Sequence, residues 1–422
     1  MLPPLPRLMG ALSLWMLALP APAVDWQEPA VIAHGGGAKG PWRQNDSRYD
    51  YVDDGTAAWL GEGLLGLAWV DQGRKDVLFR TYPGGATVNV SRNGATFSWH
   101  PRIAAGKGHV YVLWQEIIFS GGSHGGEILF ARSSDQGRGF GAPLNLSRSV
   151  GGDGKGRLDR ATWSNGSLDL AVAGDGTVVA AWTEFDGALW VARSLDAGAS
   201  FSRPVRIAGD GRVPARAPAL AAGPANRVAL AWTVGEDDGA AIRVAVSMDG
   251  GASFGTPLLA GAPGSFADAP RLAAGADGAL HLVYARQPDR KRGPAQVMHA
   301  RLAAGGKAFE APRAVSAAGA GYPALAMDAQ GRMVVSWEVF PQAGGRPSGL
   351  AFAVSQDGGA SFGPPRPVPG SAPGTGRGGN GSYQGLLGKK LAVAPDGGIA
   401  VVNSNLVPGK GSRVWLMRGR LR

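Results

Sequence analysis

The 422-residue sequence contains no cysteine, which removes disulfides, thiolate catalysis and a lipid-modified cysteine anchor together. Charge is scarce as well, at 18% of residues against 44% hydrophobic, a balance that excludes a disordered chain. After the first two dozen residues no stretch approaches about 18 uninterrupted apolar residues, so no stable membrane insertion is expected. The six histidines (His34, His100, His109, His124, His281 and His299) show no metal-ligand spacing, and neither a metal nor a cofactor is expected. Basic runs interleaved with aromatics are missing, which argues against nucleic acid.

Lys and Arg outnumber Asp and Glu by 42 to 32, for a formal charge of +10. In an exported chain that surplus favours acidic polysaccharide, acidic glycan or anionic lipid surfaces. Export is expected because Arg7, the apolar run Met9 to Leu19 and the small residues Ala21-Pro22-Ala23 form a cleavable leader over 1–23. The rest, 24–422, reads as one domain, periplasmic or secreted and monomeric. Its 68 glycines and 30 prolines are spread along the chain, as many short turns between strands would require.

Four segments share Ser-x-Asp-x-Gly-x-x-Phe: Ser133 to Phe140, Ser194 to Phe201, Ser247 to Phe254 and Ser355 to Phe362. The pattern predicts a hairpin turn in which Asp accepts backbone N–H groups, Gly takes positive φ and the aromatic packs back into its own sheet. A proline follows each aromatic by three residues (Pro143, Pro204, Pro257 and Pro365), as suits an outer strand, where a missing donor costs little. Phe309/Pro312 repeats that ending without the Ser-Asp turn.

Upstream, an apolar residue and an aromatic recur twelve apart: Ala57/Trp69, Leu170/Trp182, Leu220/Trp232, Leu272/Tyr284 and Leu325/Trp337. Ile103/Trp114 is one residue shorter, and Leu391/Asn403 keeps the spacing without the aromatic. Each pair frames an inner hairpin, often with an Asp-Gly turn such as Asp175-Gly176. That makes seven hairpins. Runs such as Val178-Val179-Ala180-Ala181-Trp182 are apolar on both faces, as sheets stacked against neighbours need.

The expected fold is all-β, a seven-bladed propeller of four-stranded antiparallel blades, with six blades as the alternative. The last hairpin lacks an outer strand, and Trp26 to Ile32 carries the aromatic-x-x-proline ending near the other terminus. That segment is expected to complete the last blade and close the ring.

The Ser-x-Asp-x-Gly-x-x-Phe turns resemble the Asp box (bacterial neuraminidase repeat) of sialidase-like propellers, and the repeat covers nearly all of 24–422. The resemblance implies that the boxes lie on the face opposite the substrate site. It further implies three arginines gripping a carboxylate, an aspartate acid/base and a tyrosine nucleophile activated by a glutamate. The family's Arg-Ile-Pro motif has its nearest counterpart in Arg102-Ile103-Ala104, and family sialidases have six blades.

Strand alternation puts the loops entering the inner strands on one face with those joining second and third strands. The longest polar segments fall there: Arg43 to Asp54; Asp153 to Asn165, with Trp163; and Arg377 to Gln384, with Tyr383. Long loops gathered on one face suit binding. At the inner lip, His100 and Tyr322 precede strand-opening prolines, with Arg216 and Asp268 one residue further out. Glu116, Glu184, Arg286 and Glu338 end second strands. Tyr322, Glu338 and Asp268 are the catalytic candidates; Arg216, Arg286, His100, Trp163, Glu116, Glu184 and Tyr383 are the ligand-binding candidates. Two functions follow: a propeller that binds glycan or protein ligands on this face, or an exo-acting glycoside hydrolase of sialidase type.

Overall fold

The computed structural model describes residues 24–422 except 42, 44, 118–125, 149–167, 185, 236–238, 262–265, 288–294, 343–344 and 373–387. The expected leader, Trp163 and Tyr383 therefore lie outside the described residues. Among the described residues no helix is long and apolar enough to cross a membrane.

Seven antiparallel sheets follow one another around a ring, which selects seven blades over six. Blades 1 to 6 run Val52–Asn89, Phe97–Asn145, Leu168–Ala208, Ala215–Ala260, Phe266–Ala314 and Ala320–Pro367, each of four strands in chain order. Blade 7 takes three strands from the C-terminus, Leu391–Val393, Gly398–Val407 and Gly411–Leu421. Its outer edge is the N-terminal segment in two pieces, Val24–Trp26 and Ala30–Gly35, both antiparallel to Gly411–Leu421. The ring is closed as the sequence implied.

The hydrophobic core is circular. Seven apolar clusters each span one joint between neighbouring blades, the last joining Ala400, Val402 and Leu416 of blade 7 to Val52, Leu65 and Leu67 of blade 1. This explains second strands such as Val178–Thr183, buried at every position: both faces meet a neighbour. The recurrent aromatics Trp69, Trp114, Trp182, Trp232, Tyr284 and Trp337 are all buried. At about 1.5–3 kcal/mol per buried large apolar side chain, stability comes mainly from these joints.

The Ser-Asp turns are held as a repeated network. Ser194 Oγ donates to Asp196 Oδ1 at 2.7 Å and accepts Gly198 N–H at 2.7 Å, while Asp196 Oδ1 also accepts Ser200 N–H at 2.9 Å. The same bonds recur at Ser133, Ser247 and Ser355. The glycines sit at φ between 81° and 89°, as expected for Gly137, Gly198, Gly251 and Gly359. The aromatic reaches further than expected. Phe140 packs edge-on against Phe79, and Phe201 against Phe130, each a ring of the preceding blade. The turn thus fastens a joint while still covering its own sheet, since Phe140 also clusters with Val112, Trp114 and Ala131 of blade 2.

Candidate functional site at the channel mouth

The innermost strands enter from the loop-rich face, and five of them bulge at the same place. Asp54, His100, Ala217, Ala269 and Tyr322 all lie at φ 50–54°, and register slips there in each strand. A left-handed conformation costs a bulky residue of order 1 kcal/mol or more, so a bulge repeated at His100 and Tyr322 is imposed by the ring. Proline follows in four cases and Gly55 in the fifth, which accounts for the strand-opening prolines.

Just past the bulge the seven inner strands present one ring of equivalent positions. Thr56, Arg102, Asp169, Ala219, Arg271 and Ala324 each pair with the residue before the recurrent aromatic. Lys390 joins them, its carbonyl accepting Val402 N–H at 2.8 Å, just before Asn403. Three of the seven are cations and one is a carboxylate.

Asp169 is the hub. Its Oδ1 lies 4.0 Å from Arg102 Nε and 2.6 Å from Lys389 Nζ, which also reaches Leu170 O at 3.1 Å. Asp169 further accepts the N–H of Leu170 (2.9 Å) and, across the joint, of Leu220 (2.7 Å). Arg102 and Arg271 are buried and each donates to the carbonyl of its preceding proline. Burial, then repulsion from Arg102, draws the Arg271 guanidinium down to about 10, and burial also lowers Lys389. Arg102, Arg271 and Lys389 thus all face Asp169, with Asp54 acting on Arg102 and Asp268 on Arg271 as further carboxylates. Lys389 is the member that meets solvent, with its side chain 26% exposed.

The predicted lip residues lie at or beside the bulges and at the ends of the second strands, and most are already partnered. Arg216 and Asp268 form an ion pair across the blade 4–5 joint at 2.7 Å; Asp268 also accepts Thr233 Oγ1 (3.0 Å), and Arg216 Nε donates to Gly235 O (2.8 Å). Glu338, opposite Gly321 in the register, is ion-paired with buried Lys390 of blade 7. Tyr322 is half-buried against Phe340, ring centroids 5.9 Å apart. Buried Glu116 accepts from Ser98 Oγ (2.8 Å), Trp114 Nε1 (2.9 Å), Thr96 and Asn93. His100 is buried, its N–H donates to Asp54 Oδ2 at 3.1 Å, and burial lowers its imidazole to about 3. Arg286 is half-buried.

Glu184 differs from its equivalents Glu116 and Glu338. It is half-buried near the indoles of Trp182 and Trp190 and the carboxylates of Asp186 and Glu127, and burial raises its carboxyl to about 7. Among the described residues no cluster of three or more His, Asp or Glu side chains could hold a metal.

Sequence reasoning overlooked Asp169, Arg271, Lys389 and Lys390. A signal was available in the parallel triplets His100-Pro101-Arg102 and Ala269-Pro270-Arg271, which put the two arginines at equivalent positions.

No family model and no curated protein matches the chain. Among solved structures, a polysaccharide lyase, the PL25 ulvan lyase bound to -[GlcA(1-4)Rha3S]-, aligns at TM-score 0.56 and 12% identity, covering 92% of this chain and 95% of its own. A Penicillium chrysogenum alpha-L-arabinanase complexed with arabinobiose aligns at 0.51 and 13%, covering 76% and 92%. A Hadza microbial sialidase aligns at 0.45 and 16%, covering 68% and 63%, too loosely to argue from. At these identities the likeness is one of fold, shared by carbohydrate-active propellers.

Proposed function

We propose that the protein is a sialidase-like Asp-box propeller, exported by its leader, that binds an acidic glycan at the channel mouth. One observation carries this: Arg102, Arg271 and Lys389 gather around Asp169, with Lys389 partly open to solvent. Clustered, mostly buried cations at the mouth favour an anionic group, and a water-poor setting strengthens the attraction. Carboxylate or sulfate on a sugar is that group, and half-buried Tyr322 offers a ring face and a hydroxyl for the sugar itself. The structures of similar fold bind or cleave saccharides, which supports a carbohydrate ligand.

The test is calorimetric titration with tetragalacturonate and with a neutral oligosaccharide of equal length. Uronate binding that weakens with salt, and at least about tenfold on Lys389→Met, is expected. Equal affinity for both sugars, or a Lys389→Met variant that binds like the parent, overturns the reading.

Glu184 favours a second reading, a glycoside hydrolase. A carboxyl raised to about 7 retains its proton near neutrality and suits a general acid, with Glu127 as the neighbouring carboxylate. Tyr322 and Glu338 fit the nucleophile role less well, since Glu338 is occupied by Lys390.

A further inference from the structure

Blade 5 departs from the repeat on the turn face, far from the channel mouth. Where blades 2, 3, 4 and 6 place Ser-x-Asp-x-Gly, blade 5 has Leu302-Ala303-Ala304-Gly305-Gly306. A cavity of about 510 Å³ opens there between blades 5 and 6, and two buried histidines, His281 and His299, line it.

The two imidazoles stand where blade 2 has aromatics. Tyr111 stacks on Phe130 (5.9 Å between centroids), and Phe130 meets Phe201 of the next blade edge-on at 4.8 Å. In blade 5, His281 stacks on His299 (5.4 Å), and His299 meets Phe362 of blade 6 edge-on at 5.2 Å. A Cβ on Gly359 of blade 6 would lie 2.7 Å from His299 Cε1, so the imidazole fills the place that Phe130 fills under Gly198. The difference is chemical. His281 Nδ1 and His299 Nε2 are 3.1 Å apart and share one hydrogen bond.

We propose that the blade 5–6 joint is a proton-operated seam, closed while the two imidazoles share one proton at their contact and opened into the cavity when both contact nitrogens are protonated. A hydrogen bond needs an acceptor, and two N–H groups aimed at each other at 3.1 Å repel. Two imidazolium rings 5.4 Å apart also repel, and burial removes the water that would screen them. From blade 5 the pair faces Arg301, Arg313, Asp277 and Glu310; from blade 6 it faces Asp357. Arg301 and Arg313 oppose the added charge. Asp277 and Glu310 are already held by Arg301, at 3.4 and 2.9 Å, and Asp357 is bound within its turn.

The direction agrees with the titration. Burial first, then Arg301 for His281 and the partner ring for His299, lowers each from 6.5 to about 4. The unfolded or opened segment binds protons from about pH 6.5, while the closed joint resists them until about 4. Closure therefore holds fully above pH 6.5 and is lost as pH falls through that window.

Hydrogen exchange on the intact protein tests this, with the blade 3–4 joint, which has Val179 under Gly251, as internal reference. Corrected for intrinsic rates, protection of Gln296–Leu302 and of the Ser355–Phe362 turn should fall at least about fortyfold from pH 6.5 to 4.5, the change for one proton, and further if both rings take one up. The reference should hold. Equal loss at both joints, or loss at neither, overturns the proposal. The double variant His281→Tyr/His299→Phe restores the blade 2 pairing and should abolish the selective loss; persistence of the loss also overturns it. Should that variant not fold, imidazole nitrogen spectra of the parent decide: both rings neutral at pH 6 supports the seam, and a charged ring at pH 6 refutes it.

Discussion

Lys389 of blade 7 reaches across the ring to Asp169 of blade 3, Nζ to Oδ1 at 2.6 Å, so one ion pair ties together blades that share no joint. Asp169 also accepts two backbone N–H groups, from Leu170 and Leu220. Asp169→Ala would strand both donors and remove the carboxylate that Lys389 binds, leaving Asp54 near Arg102 and Asp268 near Arg271. Breaking a buried charge network by removing one partner costs about 3–5 kcal/mol. The urea midpoint should fall accordingly. A loss below about 1 kcal/mol would mean that water already serves these groups.

Two adjacent glycines separate strain from packing. Gly358 has φ 65° and open space where a Cβ would go, whereas Gly359 has φ 85° and would press a Cβ onto His299 at 2.7 Å. Gly358→Ala should cost about 1 kcal/mol from the left-handed conformation alone. Gly359→Ala adds overpacking of about 1–3 kcal/mol. Equal midpoints for the two variants would show that the joint yields easily.

Ring, blade count and closure were legible in the sequence because each rests on local pattern. Trp182 and its equivalents recur at one spacing, Ser194-x-Asp196-x-Gly198 is a turn complete in itself, and Trp26 carries the outer-strand ending. The mouth was legible in outline only. The sequence puts Arg216 and Asp268 at equivalent positions beside the strand-opening prolines, but their ion pair depends on the angle between two blades. Lys389 and Asp169 are 220 residues apart, and no local pattern announces a contact across an axis. Glu116 and Glu184 look alike in sequence, yet four donors surround one and two indoles and two carboxylates the other.

Closure rests on packing more than on terminal charge. The Trp26 ring meets Phe352 of blade 6 edge-on at 5.2 Å, while the Arg422–Asp25 pair joins two half-exposed side chains. Trp26→Ala should cost about 2 kcal/mol, below the range for fully buried tryptophan because the ring is half-buried. Arg422→Ala should leave the thermal midpoint unchanged, as exposed pairs contribute little. The reverse ranking would assign ring closure to the ion pair.

Acid should act on this protein in two separable ranges. His100, His281 and His299 are lowered from 6.5 to about 3, 4 and 4 by burial, so their contribution is complete above pH 6.5 and declines toward pH 4. The turn aspartates behave oppositely in cause. The Ser253 hydroxyl first, then Ser253 N–H and the Ser247 hydroxyl, holds Asp249 well below its ordinary 3.8, so its contribution is present above about pH 4 and fades only below it. Ser253→Ala removes the largest of those bonds, which Ser253 Oγ makes to Asp249 Oδ2. Plotted against pH, its urea midpoint should run parallel to the parent from 7 to 5 and converge with it below 4, where the parent loses the same bond. A changed slope above pH 5 would couple the turns to the histidines and merge the two ranges into one.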